Sequence, residues 1–177
     1  IHELLTVDEI IELWTTQLDK LNRLYPDLKV VFTISPVRHW KDGAHGNQVS
    51  KSVLFVAVEK LLEHPSKPSY FPSYELVMDD LRDYRFYGED MIHISQTAVD
   101  YIWEAFCSCY FSDTTMECWN AVSGITRSLS HRIRSSDPEG ARKWSAAMLS
   151  SIDAVEARYP FVSLADERNY FLSLTGN

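Results

Sequence analysis

Two short apolar runs on either side of one amphipathic segment constrain this chain more than any other feature. The first, Leu28-Lys29-Val30-Val31-Phe32-Thr33-Ile34, is apolar on both faces from Val30 to Phe32 and ends before Pro36. A strand of that kind is covered on both sides, as in a parallel sheet. The spacing then predicts a helix from about Gln48 to Glu63, with Val49, Val53, Ala57, Lys60 and Leu61 along one side. Tyr70-Phe71, between Pro68 and Pro72, makes the second strand. Strand, helix and strand of this length form one right-handed βαβ unit. Such a unit leaves both sheet edges open and is too small a sheet to be stable alone. The expectation is that an N-terminal portion ahead of Ile1, or a partner chain, completes the sheet.

Local signals place the remaining elements. Thr6-Val7-Asp8-Glu9 is a capping box, with a hydroxyl at the cap and a glutamate three residues on. Val7, Ile10, Trp14, Leu18, Leu21 and Tyr25 follow at helical spacing until Pro26. A short helix is expected over Glu75–Leu81, and Ser95 caps another, striped by Val99, Ile102, Trp103 and Phe106. Beyond residue 112 the pattern becomes purely helical. Cys118, Val122, Ile125, Leu129 and Ile133 make one stripe, and Ala141, Trp144, Met148, Ile152, Val155 and Tyr159 a second. Asp137 and Pro138 read as cap and first-turn proline of the second helix, giving an αα-hairpin with Trp119 and Trp144 buried. Ser163 is expected to cap a last short helix. The fold class is therefore α/β over residues 1–111, with an α-helical extension over 112–177.

Composition narrows the function classes. The net charge of −8 is concentrated early: residues 1–111 hold 17 acidic and 10 basic side chains, and residues 112–177 hold 8 and 7. That balance repels phosphate backbones and argues against a nucleic-acid partner. No apolar run approaches the ~18–20 residues that span a bilayer. Cys107, Cys109 and Cys118 are odd in number and lie in helical sequence. Buried free thiols in a reducing, cytoplasmic compartment are the simpler reading.

The tetrapeptide Asp90-Met91-Ile92-His93 is the main candidate for chemistry. Its spacing lets a carboxylate hold one ring nitrogen of the histidine while the other faces a substrate, as two members of an acyl-transfer triad do. The sequence reads it as opening a helix, where an aspartate is also favoured simply by the helix dipole. The polar stretch Pro36–Gly46 leaves the first strand at the same sheet edge, where α/β proteins build their sites. It offers Arg38 as a guanidinium for an anion and His39 as a neighbour, with Asn47 just beyond as a neutral donor. At eleven residues it exceeds the usual ~2–6 of such loops. Ser35 is a poor nucleophile, because Pro36 removes a backbone donor from any oxyanion hole. The acidic cluster Asp79, Asp80, Asp83, Glu89 and Asp90 is interleaved with Arg82 and Arg85, which favours a salt-bridged face over a metal site. No cofactor or metal motif is present.

The stretch Thr33-Ile-Ser-Pro-Val-Arg-His-Trp-Lys-Asp-Gly, followed by Asn47, Ser50-Lys51 and Leu54, resembles the GSCFA family of mainly bacterial proteins. So does Tyr70-Phe-Pro-Ser-Tyr-Glu, with Met78-Asp-Asp-Leu-Arg-Asp-Tyr-Arg-Phe-Tyr and Asp90-Met-Ile-His93. The resemblance covers roughly residues 3–111. It implies membership of the SGNH/GDSL hydrolase superfamily, with a flavodoxin-like three-layer α/β/α fold present here in part. In that superfamily a late D-x-x-H supplies the base and its partner, which map onto His93 and Asp90. The Gly-Ser-Cys-Phe-Ala run that would carry the nucleophile is absent from these residues. The implied reaction is hydrolysis of an acyl or acetyl ester, on a small molecule, carbohydrate or lipid, with the serine outside this chain. The alternative is a non-catalytic scaffold in which an aromatic tail (Trp119, Trp144, Tyr159, Tyr170) mediates assembly.

Overall fold

The computed structural model of the protein describes residues 4–129 and 138–174. The chain divides into two compact units, Ile1–Phe106 and Cys107–Asn177.

The first unit is built on a two-stranded parallel sheet. Helix α1 (Val7–Leu24) starts at Thr6, whose hydroxyl accepts the Glu9 N–H while the Glu9 carboxylate accepts the Thr6 N–H at 2.7 Å. Strand β1 (Val31–Thr33) pairs with β2 (Ser69–Phe71) in the register Val31 to Ser69, Phe32 to Tyr70 and Thr33 to Phe71. Helix α2 (Gly43–Leu61) is the crossover between them. Strand β1 is shorter than its apolar run because pairing extends only as far as β2 runs beside it. Leu18, Phe32 and Leu61 form the core between α1, β1 and α2, with Ile11, Val58 and Tyr70 packed against it. Trp14 sets its ring edge-on to Phe32 at 5.0 Å.

After β2 the chain makes one helical turn, α3 (Ser73–Glu75), then a π-helical turn over Leu76–Asp80. The single regular helix expected over 75–81 is thus replaced by a widened turn, closed by the Leu81 N–H on the Leu76 carbonyl at 3.1 Å. Val77 and Leu81 are buried by it and meet Ala98 from helix α4 (Gln96–Tyr110) in a second small core. Ser95 caps α4 as its position suggests, its hydroxyl accepting the Ala98 N–H at 3.4 Å.

The second unit is helical: α5 (Asp113–Ser128), α6 (Pro138–Arg158) and α7 (Ala165–Ser173). Arg158 near the end of α6 pairs with Glu117 near the start of α5, so the two helices run antiparallel. The cap assigned to Asp137 lies outside the described residues. Ile125, Ile152, Val155, Tyr159, Leu164 and Phe171 make one continuous core, with Trp144 set edge-on to Phe171 at 5.3 Å. Three expectations need correction here. Trp119 is 46% exposed and outside that core. Ser163 does not cap α7; its N-cap is Leu164, whose N–H is held by the Glu156 carboxylate at 2.9 Å. Of the cysteines, only Cys107 is buried, while Cys109 is exposed and Cys118 half-buried. Among the described residues no helix is long and apolar enough to cross a membrane.

Candidate active site

The carboxyl end of the sheet is tied together by polar side chains. Ser73, buried just after β2, donates to the Ile34 carbonyl at 2.9 Å. Its oxygen therefore accepts from the Thr33 hydroxyl, 2.6 Å away, so the ends of β1 and β2 are locked to each other. Helix α2 fixes the loop that follows β1. Its inward face carries Asn47, Lys51, Leu54, Val58 and Leu61 at helical spacing. The last part of that stripe feeds the apolar core, whereas the first part is polar and reaches the loop. The Lys51 ammonium donates to the Ser35 carbonyl at 2.6 Å, and the Asn47 side-chain carbonyl accepts the His39 N–H at 2.8 Å. Burial pushes the Lys51 ammonium below its ordinary pKa.

The polar segment is shorter than the sequence implies. Trp40–Asp42 is a 3₁₀ turn and α2 already begins at Gly43, where φ is +69°. Much of 36–46 is thus helical, and its length gives no argument for a functional loop. Asn47 sits in the second turn of α2, nearly buried, with its carbonyl oxygen committed to the loop backbone.

Asp90 and His93 lie in a tight turn rather than at a helix start. Tyr87 and Ile94 form an antiparallel bridge, and the Gly88 N–H donates to the His93 carbonyl at 2.7 Å. The chain reverses between them with Met91 at φ +58°, a left-handed conformation uncommon for a side-chain-bearing residue. Asp90 stabilises the reversal. One carboxylate oxygen accepts the Ile92 and His93 N–H groups, both at 2.9 Å. The other oxygen lies 2.6 Å from His93 Nδ1. An ionised carboxylate only accepts, so in the neutral imidazole Nδ1 carries the proton and Nε2 keeps its lone pair. Nε2 makes no hydrogen bond among the described residues. The imidazole contact, followed by the two backbone N–H groups, holds the Asp90 carboxyl at about 2, against an ordinary 3.8. The pair is at the surface, with His93 70% and Asp90 48% exposed.

The first 106 residues match the model of the GSCFA family. The chain belongs to the GSCFA family. No curated protein and no solved structure matches it.

Within this GSCFA chain the two loops meet. The Arg38 guanidinium lies over the Tyr87 ring, 5.2 Å from its centre, and Tyr87 is one strand of the bridge that supports the Asp90–His93 turn. His39 has its own carboxylate partner, Asp42, at 2.7 Å from Nδ1. His64 is a third, different case. It accepts the Ser66 N–H at Nδ1 and faces Asp19 through Nε2 at 3.3 Å, so both its nitrogens are engaged in holding the αβ connection. Ser35 directs its oxygen to the Val37 N–H at 3.2 Å and its carbonyl to Lys51, a local brace. The acidic cluster is dispersed into pairs. Asp79 meets Arg82 at 2.9 Å, Asp83 meets Arg85 at 3.8 Å, and Asp80 accepts the Tyr101 hydroxyl at 2.9 Å.

Two participants were not legible as site residues. Tyr87 reads as part of an irregular stretch, although Tyr84-x-x-Tyr87 has the i, i+3 spacing that brings two rings together in a helical turn. Lys51 reads as one more polar residue on a helix. Its signal was position: four residues after Asn47, it falls on the same inward face.

Proposed function

We propose that this GSCFA chain supplies the general base and its orienting carboxylate to an SGNH-like serine ester hydrolase, with the serine provided by a segment outside these 177 residues. One observation carries the reading. Asp90 engages His93 at Nδ1, fixing the tautomer, while Nε2 remains unengaged at a surface turn. That is the arrangement a triad requires of its base.

In this mechanism the serine Oγ attacks the ester carbonyl and its proton passes to His93 Nε2. The tetrahedral intermediate collapses with cleavage of the ester C–O bond, and the alcohol leaves with the proton from Nε2. Water then repeats the attack, giving its proton to Nε2, and the acid and free serine are released. Asp90 stays ionised throughout and stabilises the imidazolium. Arg38, His39 and Asn47 belong to the substrate side of this site, with Asn47 and Lys51 holding the loop that carries Arg38. The substrate is an acyl or acetyl ester on a small molecule or glycan. Among the described residues the sheet has two strands, and further strands from the serine-bearing segment or a partner chain would extend it into the flavodoxin-like layering.

The test compares two proteins. The purified 177-residue chain should not turn over p-nitrophenyl acetate above background. A polypeptide joining a Gly-Ser-Cys-Phe-Ala segment ahead of Ile1 should do so, and His93→Ala should lower its kcat/KM by orders of magnitude without unfolding it. Full activity in that variant would sink the assignment.

A further inference from the structure

Next to the Asp90–His93 turn lies an open pocket of about 220 Å³, lined by Arg38, Val77, Met78, Arg82, Tyr84 and Tyr87. Its link to the dyad is Tyr87, which lines the pocket and is bridged through its backbone to Ile94, the residue after His93. Its most telling feature is the state of Arg38. Arg38 is a half-buried residue in the acidic part of the chain, yet among the described residues no carboxylate pairs with its guanidinium. It rests instead on the face of Tyr87, which leaves the in-plane N–H donors of the fork unused. Arg82 adds a second guanidinium. Its partner among the described residues, Asp79, is an exposed contact of the kind that contributes little and exchanges readily. Tyr84 and Tyr87 stand 6.4 Å apart with their planes tilted by 53°, forming two aromatic walls.

The geometry points to this pocket as a subsite for a ring that carries an oxyanion, an acidic sugar being the matching chemistry. The arginine forks take the oxyanion in the plane of their donors, and the Tyr84 ring takes the apolar face of the sugar. The volume falls below the ~300–1,000 Å³ typical of drug-sized ligands, which limits the occupant to about one ring. This deepens the hydrolase reading by naming the group next to the scissile ester, and it rests on that reading only for calling the occupant a substrate. Binding itself does not depend on it.

The experiment is a calorimetric and NMR titration of the 177-residue chain with glucuronate, glucose and inorganic phosphate. Glucuronate should bind, glucose should not, and phosphate should bind more weakly and compete. Arg38→Met should weaken glucuronate at least ~tenfold, the scale of one lost charge-assisted fork. Should that variant fail to fold, Tyr84→Ala serves. Tyr84 is largely exposed, and its loss should weaken glucuronate while leaving phosphate unchanged. His93→Ala should bind glucuronate as the parent does, which separates this subsite from the catalytic assignment. Equal binding of glucose and glucuronate, binding of phosphate alone, or a folded Arg38→Met chain with parental affinity would each overturn the proposal.

Discussion

The two units of this chain bury different things. Among the described residues of the helical unit one apolar cluster gathers around Phe171, and a buried hydroxyl, Ser145, donates to the Phe171 carbonyl. In residues 1–106 burial is split into two small cores, and Asn47, Lys51 and Ser73 are buried beside them. Each of those three polar groups holds the carboxyl end of β1 or the loop after it. A polar group is buried at a cost unless hydrogen-bonded, so such groups persist where they fix backbone that apolar packing alone does not. The helical unit is organised to be stable, and the α/β unit to hold loops in place.

That contrast can be broken first at its strongest point. Phe171→Ala removes a fully buried ring from the single core of the helical unit and should cost ~3–5 kcal/mol, read by urea denaturation. A loss below 1 kcal/mol would mean that this core is less continuous than it looks. In the α/β unit the matching change is polar. Asn47→Ala leaves the His39 N–H without its acceptor and should cost ~1–3 kcal/mol. It should also shift the NMR signals of residues 35–39, and an unmoved loop would remove Asn47 from its bracing role. The smallest expected effect concerns Asp90. Its folded-state pKa is depressed, so its stabilising contribution is present above the ordinary 3.8 and is lost only as pH falls toward about 2. Carboxyl NMR between pH 5 and pH 3 should therefore show Asp90 still ionised while unperturbed carboxylates titrate. In His93→Ala its midpoint should rise toward the ordinary value, because the imidazole is the largest cause of the depression.

What was legible in the sequence was mostly local. The Thr6–Glu9 capping box, the Ser95 cap and the Asp90–His93 pair all join residues three apart, a separation that geometry restricts tightly. The parallel pairing of β1 and β2 was legible too, because a helix-length crossover between two apolar runs leaves few alternatives. The setting of the dyad was not. A D-x-x-H reads equally well as a helix start, and what decides for a turn is the Tyr87–Ile94 bridge with Met91 in the left-handed region. The polar stretch 36–46 was misread for a similar reason. Lys41-Asp42-Gly43 looks like a loop, yet a 3₁₀ turn running into α2 absorbs it. In α2 the apolar stripe held at Ala57 and Leu61, which are buried, but failed at its start, where Val49 is exposed and Asn47 and Lys51 are buried instead. Hydrophobic periodicity does not see a helix whose buried face is polar at one end. Trp119 was expected inside from the pairing of the two helical stripes, yet it lies one residue off the Cys118, Val122 and Ile125 stripe that meets the core.

The central claim is that Asp90 holds His93 so that Nε2 is presented with its lone pair. The most direct measurement is the tautomer of His93 in the intact chain, read from long-range proton–nitrogen NMR correlations above the ordinary histidine range of about 6.5. The account predicts that His93 carries its proton on Nδ1, and that Asp90→Asn, with an amide NH2 facing Nδ1, favours the other tautomer with the proton on Nε2. A His93 protonated on Nε2 in the parent chain would contradict it.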